Sequence, residues 1–95
     1  MKEHTFRQFY IPEHMMEGIK NYTEYGLEPG SFLTSIICND LKGAVGRADD
    51  INITNIPAYV DYFYNHTPFA CYGSKDKLIK WVSQGGQNSE VSSRK

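Results

Sequence analysis

Apolar residues recur at helical spacing in the stretch after Pro29-Gly30, and this pattern constrains the fold most. The positions are Phe32, Leu33, Ile36, Ile37, Leu41, Ala44 and Val45. Steps of one, three and four residues place them on one broad face of an α-helix. Ser31 is a suitable N-cap, because its hydroxyl can accept a hydrogen bond from the backbone two or three residues later. The pattern predicts a central helix over residues 31–46.

Three other segments carry helix signals. They are residues 12–25, 50–65 and 73–85. Pro12 suits the first helical position, where its missing N–H costs nothing. Pro57 lies inside the third helix and removes a backbone hydrogen bond there, so we expect a break near residues 55–57.

These elements predict an all-α fold, a compact bundle of about four helices in a single domain over residues 1–85. Residues 4–10 are rich in aromatic side chains and predict either a short N-terminal strand or an extended arm. Residues 86–95 are polar and Ser-rich, which predicts a disordered tail. A chain of 95 residues builds only a small core, which favours a homo-oligomer.

Charge and composition exclude several classes of protein. The net charge of −1 argues against general nucleic-acid binding, which normally needs a basic excess. No apolar run approaches membrane-spanning length and no signal-peptide pattern opens the chain, so no membrane association is expected. The two cysteines, Cys38 and Cys71, form no disulfide framework. We therefore expect a soluble, intracellular protein with reduced thiols.

Polar side chains are dense after the apolar part of the central helix. They are Asn39, Asp40, Arg47, Asp49, Asp50 and Asn52. One interpretation is a structural brace, in which Arg47 pairs with an aspartate at the corner between two helices. The other is a pocket wall, in which Arg47 holds an anion while Asn and Asp side chains recognise donors and acceptors. Both interpretations stay open from the sequence.

Two Gly-Ser pairs, Gly30-Ser31 and Gly73-Ser74, each precede a predicted helix. Helix N-termini present free N–H groups that suit a phosphate, although ordinary capping explains the same pattern. We include Ser31 and Ser74 among the candidate ligand-binding residues. Tyr64 and Asn65 join them, since a tyrosine ring can stack on a base. No Walker-type or GxGxxG motif is present.

Metal and catalytic signals are weak. The histidines, His4, His14 and His66, show no HExxH or paired spacing, so no metal site is predicted. Cys38 falls within the apolar helix and is expected to be a buried thiol. Cys71 precedes a helix N-terminus that could lower its pKa. No base accompanies it in the sequence, and we predict neither catalytic residues nor a cofactor.

The chain contains four distinctive runs: YIPEHMMEGIKNYTEYG, EPGSFLTSIICNDLKGAVGRADDIN, IPAYVDYFYNHTP and CYGSKDKLIKW. Together they resemble a family of small proteins encoded by tailed bacteriophages. The resemblance extends from Tyr10 to Trp81 and carries over no catalytic residue. It implies an accessory role in the cytoplasm of the infected bacterial host.

With this context, the leading hypothesis is a counter-defence binding protein that sequesters a nucleotide-derived immune signal. Arg47 would hold phosphates, while Asn39 or Asp49 would recognise ribose or base edges. The alternatives are an anti-CRISPR-type inhibitor of a host protein, a structural or regulatory phage factor, and a small hydrolase.

Overall fold

The structure is a computed structural model that describes residues 3–87. This part of the chain forms an antiparallel hairpin followed by six α-helices. The strands are β1 (His4–Phe6) and β2 (Phe9–Ile11), and the helices are α1 (Glu13–Tyr25), α2 (Ser31–Ile37), α3 (Leu41–Arg47), α4 (Asp50–Thr54), α5 (Ile56–His66) and α6 (Lys75–Gln84). A 3₁₀ turn, Phe69–Cys71, lies between α5 and α6.

The mostly helical fold is confirmed, but six shorter helices replace the four expected ones. The predicted N-terminal strand is one half of the hairpin, in which His4 pairs with Ile11 and Phe6 with Phe9. No helix within residues 3–87 is long and apolar enough to cross a membrane. The predicted disordered tail, apart from Gly86 and Gln87, lies outside the described residues.

The central helix over residues 31–46 is wrong as one continuous element, because α2 and α3 are separate. Asn39 adopts a left-handed backbone with φ of 62°, which asparagine tolerates better than most residues. Asp40 then caps α3, since its Oδ1 accepts a hydrogen bond from the Gly43 N–H at 3.0 Å. The predicted cap at Ser31 is also wrong: Gly30 is the N-cap of α2, and Ser31 is its first helical residue.

The break expected near residues 55–57 is confirmed. Asn55 ends α4 and begins α5, and Pro57 lies in the first turn of α5, where no backbone partner is lost. The Asn55 side chain donates to the Ile51 carbonyl and accepts from the Tyr10 N–H of β2, both at 2.9 Å. The break between the helices therefore also anchors the hairpin.

The apolar core draws side chains from β2, from every helix except α4 and from the 3₁₀ turn. Its buried apolar residues are Ile11, Met16, Ile19, Tyr22, Phe32, Leu33, Ile37, Ala44, Ala58, Tyr59, Phe63, Cys71, Leu78 and Trp81. Burying one such large side chain contributes about 1.5–3 kcal/mol. The Tyr22 hydroxyl donates to the Cys71 carbonyl at 2.7 Å, and the Trp81 indole N–H donates to the Tyr22 carbonyl at 3.0 Å. These two bonds tie α6 and the 3₁₀ turn to α1.

The end of α1 touches the end of α6 backbone to backbone. Gly26 has a left-handed φ of 71°, and a Cβ placed on it would collide with Gly85 and Gly86. Only glycine combines this conformation with so close an approach. Gly26 therefore both ends α1 and makes room for the chain after α6.

Candidate functional site

Helices α2, α3 and α6 and the turn before α2 surround an open groove of about 600 Å³, which we call the α2–α3–α6 groove. Its lining residues are Glu28, Pro29, Ser31, Thr34, Ser35, Cys38, Asp40, Arg47, Lys75, Leu78 and Ile79. Three predicted site residues, Ser31, Asp40 and Arg47, are thus brought together. Another depression, of about 650 Å³, is lined by α1 alone and is not enclosed between elements.

Arg47 is the last residue of α3 and is only loosely held. Its Nη1 donates to Ser35 Oγ at 3.1 Å and lies 4.0 Å from Asp40 Oδ2. Its side chain is 51% exposed, and an exposed pair at this distance contributes little to stability. A guanidinium has five N–H donors, so the bond to Ser35 leaves donors available for a ligand.

Gly43 makes room for this arrangement. A Cβ at position 43 would collide with both the Asp40 carboxylate and the Arg47 guanidinium. The two charged groups therefore approach each other across a backbone position that carries no side chain.

Lys75 adds a second positive charge to the groove at the first residue of α6. Burial raises the pKa of the Cys38 thiol, while the Lys75 charge lowers it and the Asp40 charge raises it. Both charged groups are therefore near enough to act on the same thiol. Cys38, expected to be buried, is partly exposed and lines the groove.

The groove combines cations and carboxylates. Arg47 and Lys75 can hold phosphate oxygens, whereas Asp40 and Glu28 can only accept hydrogen bonds when ionised. Ser31, Thr34 and Ser35 add hydroxyl groups, each of which can donate or accept a hydrogen bond. A volume of about 600 Å³ is within the range of pockets for small molecules.

Asp49 and Asn52 do not line this groove, and their hydrogen bonds stabilise α4 and its contact with α5. Asp49 caps α4, since its Oδ1 accepts from the Asn52 N–H at 2.8 Å. The buried Asn52 side chain accepts from the Tyr59 hydroxyl at 2.7 Å. Arg47 bonds to Ser35 rather than to Asp49. The pairing of Arg47 with an aspartate is therefore present only as the loose Arg47–Asp40 contact at 4.0 Å. Asp49, Asn52 and Tyr59 form a separate network without Arg47.

The other predicted residues lie at separate places. Asn39 forms the exposed joint between α2 and α3. Ser74 caps α6 by accepting from the Lys77 N–H at 3.2 Å, beside Lys75. Tyr64 is 72% exposed on α5, and Asn65 donates to Asp61 Oδ1 at 2.8 Å. None of these four side chains lines the groove.

Sequence reasoning missed Glu28 and Ser35 as groove residues. Ser35 lies four residues after Ser31, one turn later on the same helical face, so helical spacing could have identified it. Glu28 precedes the Pro29-Gly30 turn, and only the path of that turn brings it to the groove.

The thiol expected to be activated is the more protected one. Cys71 is fully buried, and burial raises its pKa despite a hydrogen bond with Thr67 and the nearby Lys77, which lower it. The helix N-terminus that follows in sequence does not activate it, because the burial effect is larger. Cys71 therefore belongs to the core.

Two exposed apolar side chains, Leu41 of α3 and Val60 of α5, border one depression beside the groove, and we call this surface the α3–α5 apolar face. Leu41 is 68% exposed, and it borders a shallow depression of about 40 Å³ together with Ile36 and Val60. Exposed apolar patches of this kind often mark interaction surfaces.

Comparison of the chain with protein-family models, curated proteins and solved structures gives no match. The phage resemblance therefore stays a hypothesis from the sequence.

Proposed function

We propose that this chain binds a nucleotide-derived small molecule in the α2–α3–α6 groove. As a phage accessory protein, it would sequester an immune signal of that chemistry in the host cytoplasm. The observation that carries the proposal is the convergence of two cations and two carboxylates, Arg47, Lys75, Asp40 and Glu28, on one groove of about 600 Å³.

The mixed charge favours a nucleotide over a bare anion. Inorganic phosphate would meet Arg47 and Lys75 but would also be repelled by the nearby carboxylates. A nucleotide carries phosphate oxygens for the cations and, at the other end, ribose hydroxyl or base amino groups that donate to carboxylates. Leu78 and Ile79 supply the apolar part of the lining, in place of the tyrosine stacking expected from the sequence.

Isothermal titration against cyclic dinucleotides and ADP-ribose derivatives tests the proposal. We expect one member to bind, and we expect Arg47→Ala and Lys75→Ala each to weaken it at least tenfold. Losing a hydrogen bond to a charged group costs about 1.5–3 kcal/mol, which is tenfold or more in affinity. Lys80→Ala, which removes a cation from the same helix as Lys75 but outside the groove, is the matched control and should leave affinity unchanged.

Binding of no member of the panel by the folded chain would contradict the proposal. Recovery of the ligand unchanged after incubation separates sequestration from hydrolysis, because a hydrolase would return cleaved products.

A second candidate function, inhibition of a host protein, is favoured by the α3–α5 apolar face. Val60→Asp should then abolish stoichiometric capture of a single host protein, and Arg47→Ala should leave that capture intact. Loss of capture in Arg47→Ala, with capture intact in Val60→Asp, would favour the groove as the binding surface. The homo-oligomer expected from the sequence would give a mass that rises with protein concentration in sedimentation. If Val60→Asp removes this rise, the second copy binds on the α3–α5 apolar face.

A further inference from the structure

Two histidines and an aspartate from distant parts of the chain meet where the hairpin packs on α5. They are His4 of β1 and Asp61 and His66 of α5. Each offers one ligand atom, and the three atoms all lie within 4.8 Å of one another. His4 and Asp61 are 57 residues apart, yet His4 Nε2 lies 2.9 Å from Asp61 Oδ2.

From this cluster we propose a Zn²⁺ site formed by His4, Asp61 and His66. Two imidazole nitrogens and a carboxylate oxygen are a ligand set that zinc accepts, with a fourth position left for water. Around a tetrahedral zinc, ligand atoms lie roughly 3.3 Å apart. His4 Nε2 and Asp61 Oδ2 are hydrogen-bonded at 2.9 Å, a few tenths of an ångström closer than that spacing, so zinc would displace the proton between them. A small rotation of the exposed His66 side chain would then bring in the third ligand.

The surroundings hold the first two ligands in place. The side chains of His4 and Asp61 are only 15% and 17% exposed. Asn65 donates to Asp61 Oδ1 at 2.8 Å, which leaves Oδ2 facing His4. The His4 ring also packs edge-on against Tyr62, with centroids 5.0 Å apart. Such outer contacts orient ligands and strengthen metal binding.

The open side gives the ion a path. His66 is exposed, and its ring centroid lies 5.1 Å from that of His4. A cation can therefore reach the partly buried pair from solvent. The site is separate from the α2–α3–α6 groove, since none of its three ligands lines that groove.

The spacing of the histidines in sequence hides this arrangement. His66 follows Asp61 by five residues, and His4 joins them only because the hairpin folds back onto α5. The sequence therefore predicts no metal site, although the fold assembles one.

Equilibrium dialysis with ZnCl₂ on the full chain, prepared without a histidine tag, tests the site. We expect one bound Zn²⁺ per chain, and at least a tenfold loss of affinity in His66→Ala, whose exposed side chain can be removed without opening the core. His14→Ala, the matched control on α1, should bind zinc as the wild type does. Asp61→Asn keeps the size of the side chain and removes its charge, and it should also weaken binding.

Two further measurements decide the outcome. Zinc should raise the melting temperature of the wild type and of His14→Ala more than that of His66→Ala, because a ligand of the native state stabilises it. Co²⁺ should give the visible d–d absorption of a tetrahedral site in the wild type and should not give it in His66→Ala. Absence of zinc binding by the folded wild type, or equal affinities of His66→Ala and His14→Ala, would overturn the proposal.

Discussion

Two neighbouring parts of the molecule use similar polar residues in different ways. In the α4–α5 corner, Asp49 caps a helix and the buried Asn52 accepts from Tyr59. In the α2–α3–α6 groove, Asp40 also caps a helix, but Arg47 is half exposed and held by a single hydrogen bond to Ser35. The corner is closed and the groove is open.

The difference teaches that burial and geometry, rather than residue type, separate bracing from availability. A buried polar group must be paired in the native state, because an unpaired one costs free energy. An exposed guanidinium has no such requirement and can exchange water for a ligand. The comparison predicts that substitutions in the corner reduce stability and that substitutions in the groove reduce binding.

The largest effect is expected in the corner. Asn52→Ala leaves the buried Tyr59 hydroxyl without its acceptor, which should lower the free energy of unfolding by about 1–3 kcal/mol. Thermal unfolding should show this as a clearly lower melting temperature. The double variant with Tyr59→Phe should lose less than the sum of the two single losses, since both groups of the bond are then gone. Full additivity would mean that the two side chains are not coupled.

A smaller loss is expected when a helix cap is removed. Asp49→Ala and Asp40→Ala each delete an N-cap and should each cost about 1 kcal/mol in urea denaturation. Only Asp40→Ala should also alter binding in the groove, because only Asp40 lines it. Equal effects of both variants on ligand affinity would remove the distinction between corner and groove.

The two cysteine thiols lie in different surroundings: Cys38 lines the groove, and Cys71 is buried in the core. Burial raises the pKa of both, so at neutral pH each should react with iodoacetamide more slowly than a free cysteine. Because the thiolate is the reactive form, Cys38 labelling should accelerate as pH rises toward its raised pKa. Cys71 should label only after unfolding, since it is fully buried. Mass spectrometry of labelled peptides measures both rates, and faster labelling of Cys71 in the native protein would contradict the structure.

Much of the fold follows from local sequence. Pro12, expected as the first residue of α1, is instead its N-cap, and Gly26 ends the helix as predicted. Pro57 marks the break before α5. These signals act locally, because proline fixes its own φ and glycine accepts a left-handed φ. The division between α2 and α3 was missed, since the apolar spacing continues across Asn39 and hides its left-handed conformation. The spacing of apolar residues shows that a stretch is helical, but it does not show where one helix ends and the next begins.

The groove was predictable only in part. Asp40 and Arg47 were close in sequence and are close in space. Glu28 and Lys75 lie on either side of α2 and α3 in the chain: the path of the Pro29-Gly30 turn brings Glu28 to the groove, and the packing of α6 brings Lys75. Asp49 and Asn52 looked equivalent to Asp40 in sequence, and only their burial and hydrogen bonds place them in the corner.

The most direct measurement compares Arg47→Ala with Asp49→Ala for both melting temperature and affinity toward the nucleotide that binds the wild type. Arg47→Ala should change the free energy of unfolding by no more than about 0.5 kcal/mol, as expected for an exposed side chain, while affinity falls at least tenfold. Asp49→Ala should lower the free energy of unfolding by about 1 kcal/mol and leave the affinity unchanged. A fall in the melting temperature of Arg47→Ala with affinity preserved would show that Arg47 is a structural brace and contradict the account.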